Sequence, residues 1–503
     1  MHDSRVPTEQ SNLEPESPPG PSAPGAAAGA APSGPDDGTG AIWDREHTSL
    51  TLGLILTVSM AAFEAMAVAT VLPVAVRDIG GLELYGWAFS GFMLANLIGI
   101  SAAGSEADRR GAARPFLAGN ALFIAGLLVA GSARSMSIVA AGRIVQGFGA
   151  GAISSVAYVA IARGYPSSAK PRMLALISSA WVVPGLIGPA IAGTVADHLS
   201  WRWVFFGLVP PMGIAASLVV PALRRLERSV ATESKGVATG ARPALPALRL
   251  AAGAGAALFG LGGDASLSMG ATLVAVGLVV AVMAFQRLVP TGTLRARPGL
   301  PAAVATAGIL GFIFFGAEAF LPLSFTEVRG QSATAAGIAL TMAAIFWTTG
   351  AWVQAREARL GRRRWLILAG LGLIAAGTAG AALTVLPEAF GAAAPAIDPR
   401  LGNAIAAGSW GLAGLGMGLA YSTTALVVLE SAPPGGEGEA SAAMQLSNVL
   451  GTALGTGLGG ACVALATAAA RPVASGIVLV DAITIAVTIV GLFAARGFPR
   501  DPA

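Results

Sequence analysis

Three ionisable residues stand where charge is expensive. Glu64 interrupts the apolar run FEAMAVATVLP at 63–73, Arg143 falls within an apolar stretch at 137–161, and Glu318 within another at 302–325. If these stretches and the one at 49–72 are helices rising about 1.5 Å per residue, the three side chains lie about 12, 9 and 10 Å from one membrane boundary. A lone charge at the bilayer centre costs roughly 2.5–3.5 kcal/mol or more, and an opposite charge or a water-filled cavity relieves it. Desolvation favours the neutral form of a carboxylate, and a nearby guanidinium favours the ionised form. A Glu64 whose surroundings change would therefore bind and release a proton, the property of a coupling device. The other reading is a fixed Glu64–Arg143 salt bridge that only tethers two helices.

Other chemistry finds little support. His2, His47 and His198 are too scattered for a metal site, and Cys462 is the single cysteine, so no disulfide within the chain is possible. No nucleophile with a histidine base and no phosphate-cradling loop occurs, which speaks against an enzyme and against a cofactor. The energy source would be a proton gradient.

The elements that carry these residues follow from composition. Of the 503 residues 54% are hydrophobic and only 12% charged, and the mean hydropathy is +0.70. Such a chain is a polytopic membrane protein. About fourteen stretches are long enough to cross a hydrocarbon core of about 30 Å as helices. The expected division is a disordered cytoplasmic tail at 1–45, a six-helix bundle at 46–223, a cytoplasmic linker at 224–246, an extra helix pair at 247–290, a second six-helix bundle at 291–497 and a short tail at 498–503. The first 45 residues, rich in Pro, Gly, Ala and Ser, contain no apolar core of the kind a signal peptide needs.

Arginine supplies all but two of the 31 basic residues. With both termini cytoplasmic, the inside loops hold Arg109, Arg110 and Arg114, then Arg163, Lys170 and Arg172, then the linker cluster, Arg287, Arg295 and Arg297, and Arg356 with Arg362 to Arg364. The outside loops hold single arginines such as Arg77, Arg134 and Arg202. This positive-inside bias sets the topology. The net charge of +4 then reflects topology, and nucleic acid is not implied. Heavy use of Arg, Ala and Gly points to a GC-rich bacterial genome and so to the bacterial plasma membrane, with the protein acting as a monomer.

The chain also repeats. GFGAGAISSVAYVAIARGYP from Gly147 and GLGMGLAYSTTALVVLESAP from Gly414 share alternate glycines, a Ser/Thr patch and an exit ending in Pro, and DRRGAAR from Asp108 is matched by ARLGRRR from Ala358. Both copies cross in the same direction, the parallel repeat expected of two bundles rocking about a central site.

Several motifs are similar to those of one family. The loop GSEADRRGAARP (Gly104, Asp108, Arg109, Gly111) resembles the loop between the second and third helices of the major facilitator superfamily. RIVQGFGAG (Arg143, Gln146, Gly147, Gly149, Gly151) resembles its fourth helix, and GLIGPAIAG (Gly185, Gly188, Pro189, Gly193), followed by SWRWVFF, its fifth and sixth. Fourteen helices with the extra pair after the linker resemble the multidrug:proton antiporter branch. In that branch the first helix commonly carries Asp, where this chain has Glu64, and Ala112 and Ala113 replace basic residues of the loop.

The resemblance implies helices 1, 4, 9 and 12 around a central cavity, so that Glu64, Arg143 and Glu318 face one another. It makes Asp108 and Arg109 a cytoplasmic latch between helix ends and associates the fifth-helix glycines with antiport. Aligning the halves on Pro73 and Pro322 pairs Glu64 with Ile313, so the repeat does not support Glu318. Asp481 reads as packing or helix-end solvation in a helix that the resemblance makes peripheral, and Trp201 and Trp203 as an interfacial belt. The expected function is alternating-access, proton-coupled export of lipophilic small molecules or drugs; the alternative is a proton-coupled uptake carrier or lipid flippase.

Overall fold

The computed structural model describes residues 42–44, 47–166, 168–233, 244–262, 266–357, 361–390, 398–433 and 436–498. Most of the expected tail at 1–45, the middle of the linker, residues 358–360 of the loop repeat and the last five residues lie outside the described residues. The tail's last part is packed: Ile42 is buried, and its carbonyl accepts a hydrogen bond from Thr51 Oγ1 at 3.0 Å.

The fold is all-α, with fourteen helices long and apolar enough to cross a membrane among the described residues. They are α1 Thr48–Ile79, α2 Tyr85–Arg110, α3 Ala113–Gly131, α4 Met136–Gly164, α5 Arg172–His198 and α6 Arg202–Arg228. Next come α7 Ala244–Leu261, α8 Leu267–Gln286, α9 Leu300–Val328 and α10 Ala333–Glu357. The chain ends with α11 Arg363–Leu383, α12 Pro399–Glu430, α13 Glu437–Ala468 and α14 Val473–Ala494. Each coincides with one of the expected stretches. Most run longer, because polar turns at both ends continue the helix beyond the apolar segment.

We call the end at which α6 stops and α7 starts the linker end, and the other the distal end. Helix α12 starts at the distal end with Asp398 as N-cap, accepting from the amides of Arg400 and Leu401, and with Pro399 in the first turn. Such capping supplies partners to amides that no helical carbonyl can reach. Helix α9 is irregular, containing π-helical segments at Gly311–Phe315 and Ser324–Val328. Each π turn accommodates an extra residue within the helix and rotates the residues beyond it.

Glycine brings the helices together. Gly147 and Gly151 of α4 lie on the backbone of α2 at Phe92 and Asn96, and in the second half Gly414 and Gly418 of α12 lie on the backbone of α10 at Ala343 and Trp347. On its other side α4 meets α3, where a methyl group added at Gly149 would come within 2.5 Å of the Gly119 carbonyl oxygen. Gly416 meets Gly370 of α11 in the same manner. Small residues permit this close approach, and dispersion across it holds membrane helices together without a hydrophobic driving force. The sequence repeat is therefore a repeat of packing.

The halves meet along two seams. At one, Gly86 of α2 abuts Gly460 of α13; at the other, Gly193 and Pro189 of α5 abut Ala333, Thr334 and Gly337 of α10. The extra pair lies beside the first seam, with α7 touching both sides: Leu258 packs on Gly457 of α13, and Gly255 faces Leu94 of α2.

Candidate functional site

Glu64 and Arg143 meet inside the first bundle. Their relative exposures are 0% and 2%, and the guanidinium Nη1 donates to Glu64 Oε1. Gln146, also fully buried, completes the group: its Oε1 accepts from Arg143 Nη1 at 3.1 Å, and its Nε2 donates to Glu64 Oε1 at 3.3 Å. Helix α2 supplies the rest of the cradle, since Arg143 Nε donates to the Ala88 carbonyl at 3.1 Å and the guanidinium lies 4.1 Å from the Phe92 ring centroid. Glycine makes this reach possible, for Gly147 sets α4 directly on the Phe92 backbone. Among the described residues Glu64 Oε2 has no partner.

The pair thus has what a buried ion pair needs, additional hydrogen bonds around the charges, together with one free carboxylate oxygen. In the sequence Gln146 reads only as part of a packing motif. Its spacing of three residues from Arg143 on a helix already places both side chains on one face, which is the signal that could have assigned it to the charged cluster.

Glu318 is placed elsewhere. It is buried at 9% exposure in the short α-helical piece of α9 between the two π segments, and its electrostatic neighbour is Trp410 of α12. The structure therefore joins two of the three residues expected to face one another and sets the third in the second bundle. In the repeat, counting from Gly147 and Gly414, Trp410 is the counterpart of Arg143 and Ala413 that of Gln146. Phe314 stacks on Trp410 with centroids 5.3 Å apart, in the place of a charged partner.

The loop motif ties helix ends within the first bundle. Asp108 accepts from Arg163 Nη2, at the end of α4, at 2.6 Å, and Glu227 of α6 accepts from the Ala113 amide at 2.8 Å. Gly111 has φ +91°, and a methyl group there would collide with the Glu227 carboxylate, so the turn needs glycine on both counts. Gly104 lies beside Ser155 of α4, and Arg109 is exposed.

The fifth-helix motif faces the other half. Gly193 packs on Ala333 and Thr334, Pro189 on Gly337, and Gly185 faces Ala344, whereas Gly188 packs on Phe63, the residue before Glu64. Polar ties reinforce the distal part of this seam. Asp197 accepts from the amides of Ala333 at 3.1 Å and Thr334 at 2.9 Å, and from Thr334 Oγ1 at 2.6 Å, so it caps α10 from across the halves. Arg77 of α1 binds Glu327 and the Thr326 carbonyl of α9, and Tyr85 Oη donates to the Ala319 carbonyl at 2.7 Å. Toward the linker end the same two helices border a cavity of about 420 Å³ lined by Leu186 of α5 and by Ile345, Thr348, Thr349, Trp352, Val353 and Arg356 of α10.

One expectation is corrected. Trp201 is 2% exposed and donates to Asp78 Oδ2 at 3.0 Å, which also accepts from Arg202 Nη1 at 2.6 Å. It is a buried strut, and Trp203, 58% exposed, is the one of the two placed as a belt residue would be. Among the described residues no cluster of His, Cys, Asp and Glu could hold a metal ion.

Residues 54–456 match the family model of the Major Facilitator Superfamily. The chain is 30% identical over 333 residues to an uncharacterized MFS-type transporter of Mycobacterium tuberculosis, covering 64% of this chain and 48% of that one. It is 27% identical over 303 residues to Multidrug resistance protein 3 of Bacillus subtilis, covering 58% of each. The chain thus spans about half the length of these curated relatives. Among solved structures it is similar to a D-xylose-proton symporter, with a TM-score of 0.63, 14% identity and coverage of 90% of this chain and 98% of that one. A peptide transporter of the POT family gives a TM-score of 0.61 at 16% identity, covering 90% and 99%. The chain belongs to the major facilitator superfamily.

Proposed function

We propose that this protein is a proton-driven exporter of lipophilic small molecules in the bacterial plasma membrane, with the linker end in the cytoplasm. The observation that carries the reading is the buried Glu64–Arg143–Gln146 group with one carboxylate oxygen unpartnered. Protonating Glu64 removes its attraction for Arg143, while Ala88 O, Gln146 Oε1 and the Phe92 face continue to hold the guanidinium. Proton arrival and departure therefore change the bond between α1 and α4, and α1 also carries the distal tie Arg77–Glu327 and touches α5 through Phe63. Proton occupancy and distal closure share one helix.

The state described is closed at the distal end by Asp197, Arg77 and Tyr85. The cavity between the linker-end parts of α5 and α10, apolar but for two threonines and Arg356, suits lipophilic cargo arriving from the cytoplasm or its leaflet. Relatives named for multidrug resistance favour export over uptake. The basic loops at the linker end favour the orientation.

Efflux of a fluorescent lipophilic dye from cells expressing the protein, with and without a protonophore, tests direction and coupling together. Protonophore-sensitive efflux is expected from wild type, and Glu64→Gln should reach the membrane folded with efflux that no longer follows the pH gradient. If the double variant Glu64→Gln with Arg143→Gln couples transport to protons as wild type does, the pair is only a tether.

A further inference from the structure

A second set of buried polar groups lies in the C-terminal bundle, apart from the Glu64 cluster. Asp481 of α14 is 7% exposed and Glu318 of α9 is 9% exposed. Neither carboxylate has an ion pair among the described residues. Beside both stands Trp410 of α12, 1% exposed, whose indole Nε1–H is the polar group facing Glu318. Asp481 and Trp410 line one small cavity together with Ser324, Phe320 and Val385, and Trp410 is at the same time the electrostatic neighbour of Glu318. Ser324 Oγ donates its proton to the Leu321 carbonyl at 2.7 Å, so it offers the cavity only an acceptor. The space open to the centre of a water is about 10 Å³, about what one water needs.

The contents of the cavity fix the ligand class. It is too small for an organic substrate. Its lining has one ionisable group, the Asp481 carboxylate, and no cation, and a carboxylate left ionised and unpaired at membrane depth is costly. Among the described residues, the elements packed on α14 supply no basic group at this depth. Helix α9 brings Glu318 and, farther toward the distal end, Glu327, which Arg77 already engages. Helix α13 brings Cys462, buried and free, and the short helix Leu386–Ala389 brings Glu388. The arginines of α11, Arg363 and Arg364, and Arg496 beyond α14 are at the linker end, and Arg400 is in the first turn of α12 at the distal end.

We propose that Asp481, in the cavity it shares with Trp410, and Glu318, beside the same indole, form a second proton-binding site, so that each bundle binds protons during the transport cycle. A proton reaches the cavity as hydronium and passes to a carboxylate oxygen, leaving a neutral acid and a water; release is the reverse. The Trp410 N–H donates to whichever carboxylate is ionised and so steadies the intermediate in which one acid is charged. In the first bundle Arg143 supplies a fixed charge opposite Glu64. In the second, neutrality depends on the proton itself.

This inference rests on the proton-coupled reading, and the test separates the two. The purified full chain is examined by infrared difference spectroscopy between acidic and alkaline buffer, and by proton release on binding ethidium as the lipophilic probe. A protonated-carboxyl band should vanish in Asp481→Asn and persist in Glu64→Gln, and protons released per bound ethidium should be roughly halved in Asp481→Asn. Trp410→Phe, which keeps the ring and removes the N–H, should shift that band without abolishing it, and this arm stands even if Asp481→Asn fails to fold. Bands unchanged in Asp481→Asn and Trp410→Phe would overturn the site, as would sodium substituting for protons in the infrared response. If ethidium efflux by wild type ignores a protonophore, the coupling reading fails, while the infrared arm still judges whether Asp481 binds a proton.

Discussion

Helices α4 and α12 occupy equivalent places in the two bundles and are built differently. Their glycines coincide, Gly147, Gly149 and Gly151 with Gly414, Gly416 and Gly418, and each set lies on a neighbouring backbone. Their polar content does not coincide. Where α4 has Arg143 and Gln146 joined to Glu64, α12 has Trp410 and Ala413, and Trp410 stacks on Phe314 while Trp347 meets Phe314 edge-on at 5.5 Å. At the linker end the charges are reversed: α4 ends in Arg163 bound to Asp108, and α12 ends in Glu430, bound to Arg363. A shared backbone geometry thus leaves side-chain chemistry free to specialise, one bundle holding a fixed charge pair and the other an aromatic nest around an uncompensated acid.

The sharpest way to break this comparison is to remove the cation. Arg143→Gln leaves Glu64 buried without its partner and should cost about 3–5 kcal/mol in stability, with most of the loss recovered when Glu64→Gln is added. Thermal unfolding of the two single variants and the double variant measures the coupling between them. Next in size are the glycines. Gly149→Ala and Gly416→Ala each force a methyl group onto a neighbouring helix and should lose about 1–3 kcal/mol apiece. Equal losses support equivalence of the halves, and a large activity loss at unchanged melting temperature in one alone would assign that contact a sliding role.

A smaller effect is expected for Glu318→Gln, under about 1 kcal/mol by the same melting assay, because no cation is left behind. A loss as large as that of Arg143→Gln would show that Glu318 has a charged partner in another state. The smallest change in stability belongs to the half-exposed linker-end pairs, which contribute under about 1 kcal/mol. Asp108→Asn should nonetheless lower transport at normal membrane insertion, and so should Glu430→Gln. Normal turnover in either would reject a latch on that side.

The fourteen spans, the repeat and the Glu64–Arg143 pair are legible in the sequence because each follows from a local rule: apolar length, periodic glycine, or the cost of charge at membrane depth. Other features are not local. Asp197 capping α10 and Arg77 binding Glu327 join residues far apart in the chain, and nothing in their immediate sequence distinguishes them from other polar residues at helix ends. Trp201 looks like a belt residue until Asp78 is seen beside it. The facing of Glu318 is not legible for a third reason, since α9 is interrupted by π segments and a depth reckoned along a helix does not say which way the side chain turns.

That irregularity limits what point substitution can do to this protein. A π segment such as Gly311–Phe315 is in effect an insertion, and no exchange of one side chain for another removes an insertion. Deleting a single residue there would turn everything beyond it by about 100° around the helix axis, swinging Glu318 away from Trp410 while Pro322 moved with it. The two bundles are therefore separated by a change of length as well as by changes of side chain. A lineage mutating one residue at a time could trade Arg143 for tryptophan and still be unable to turn the first half into the second.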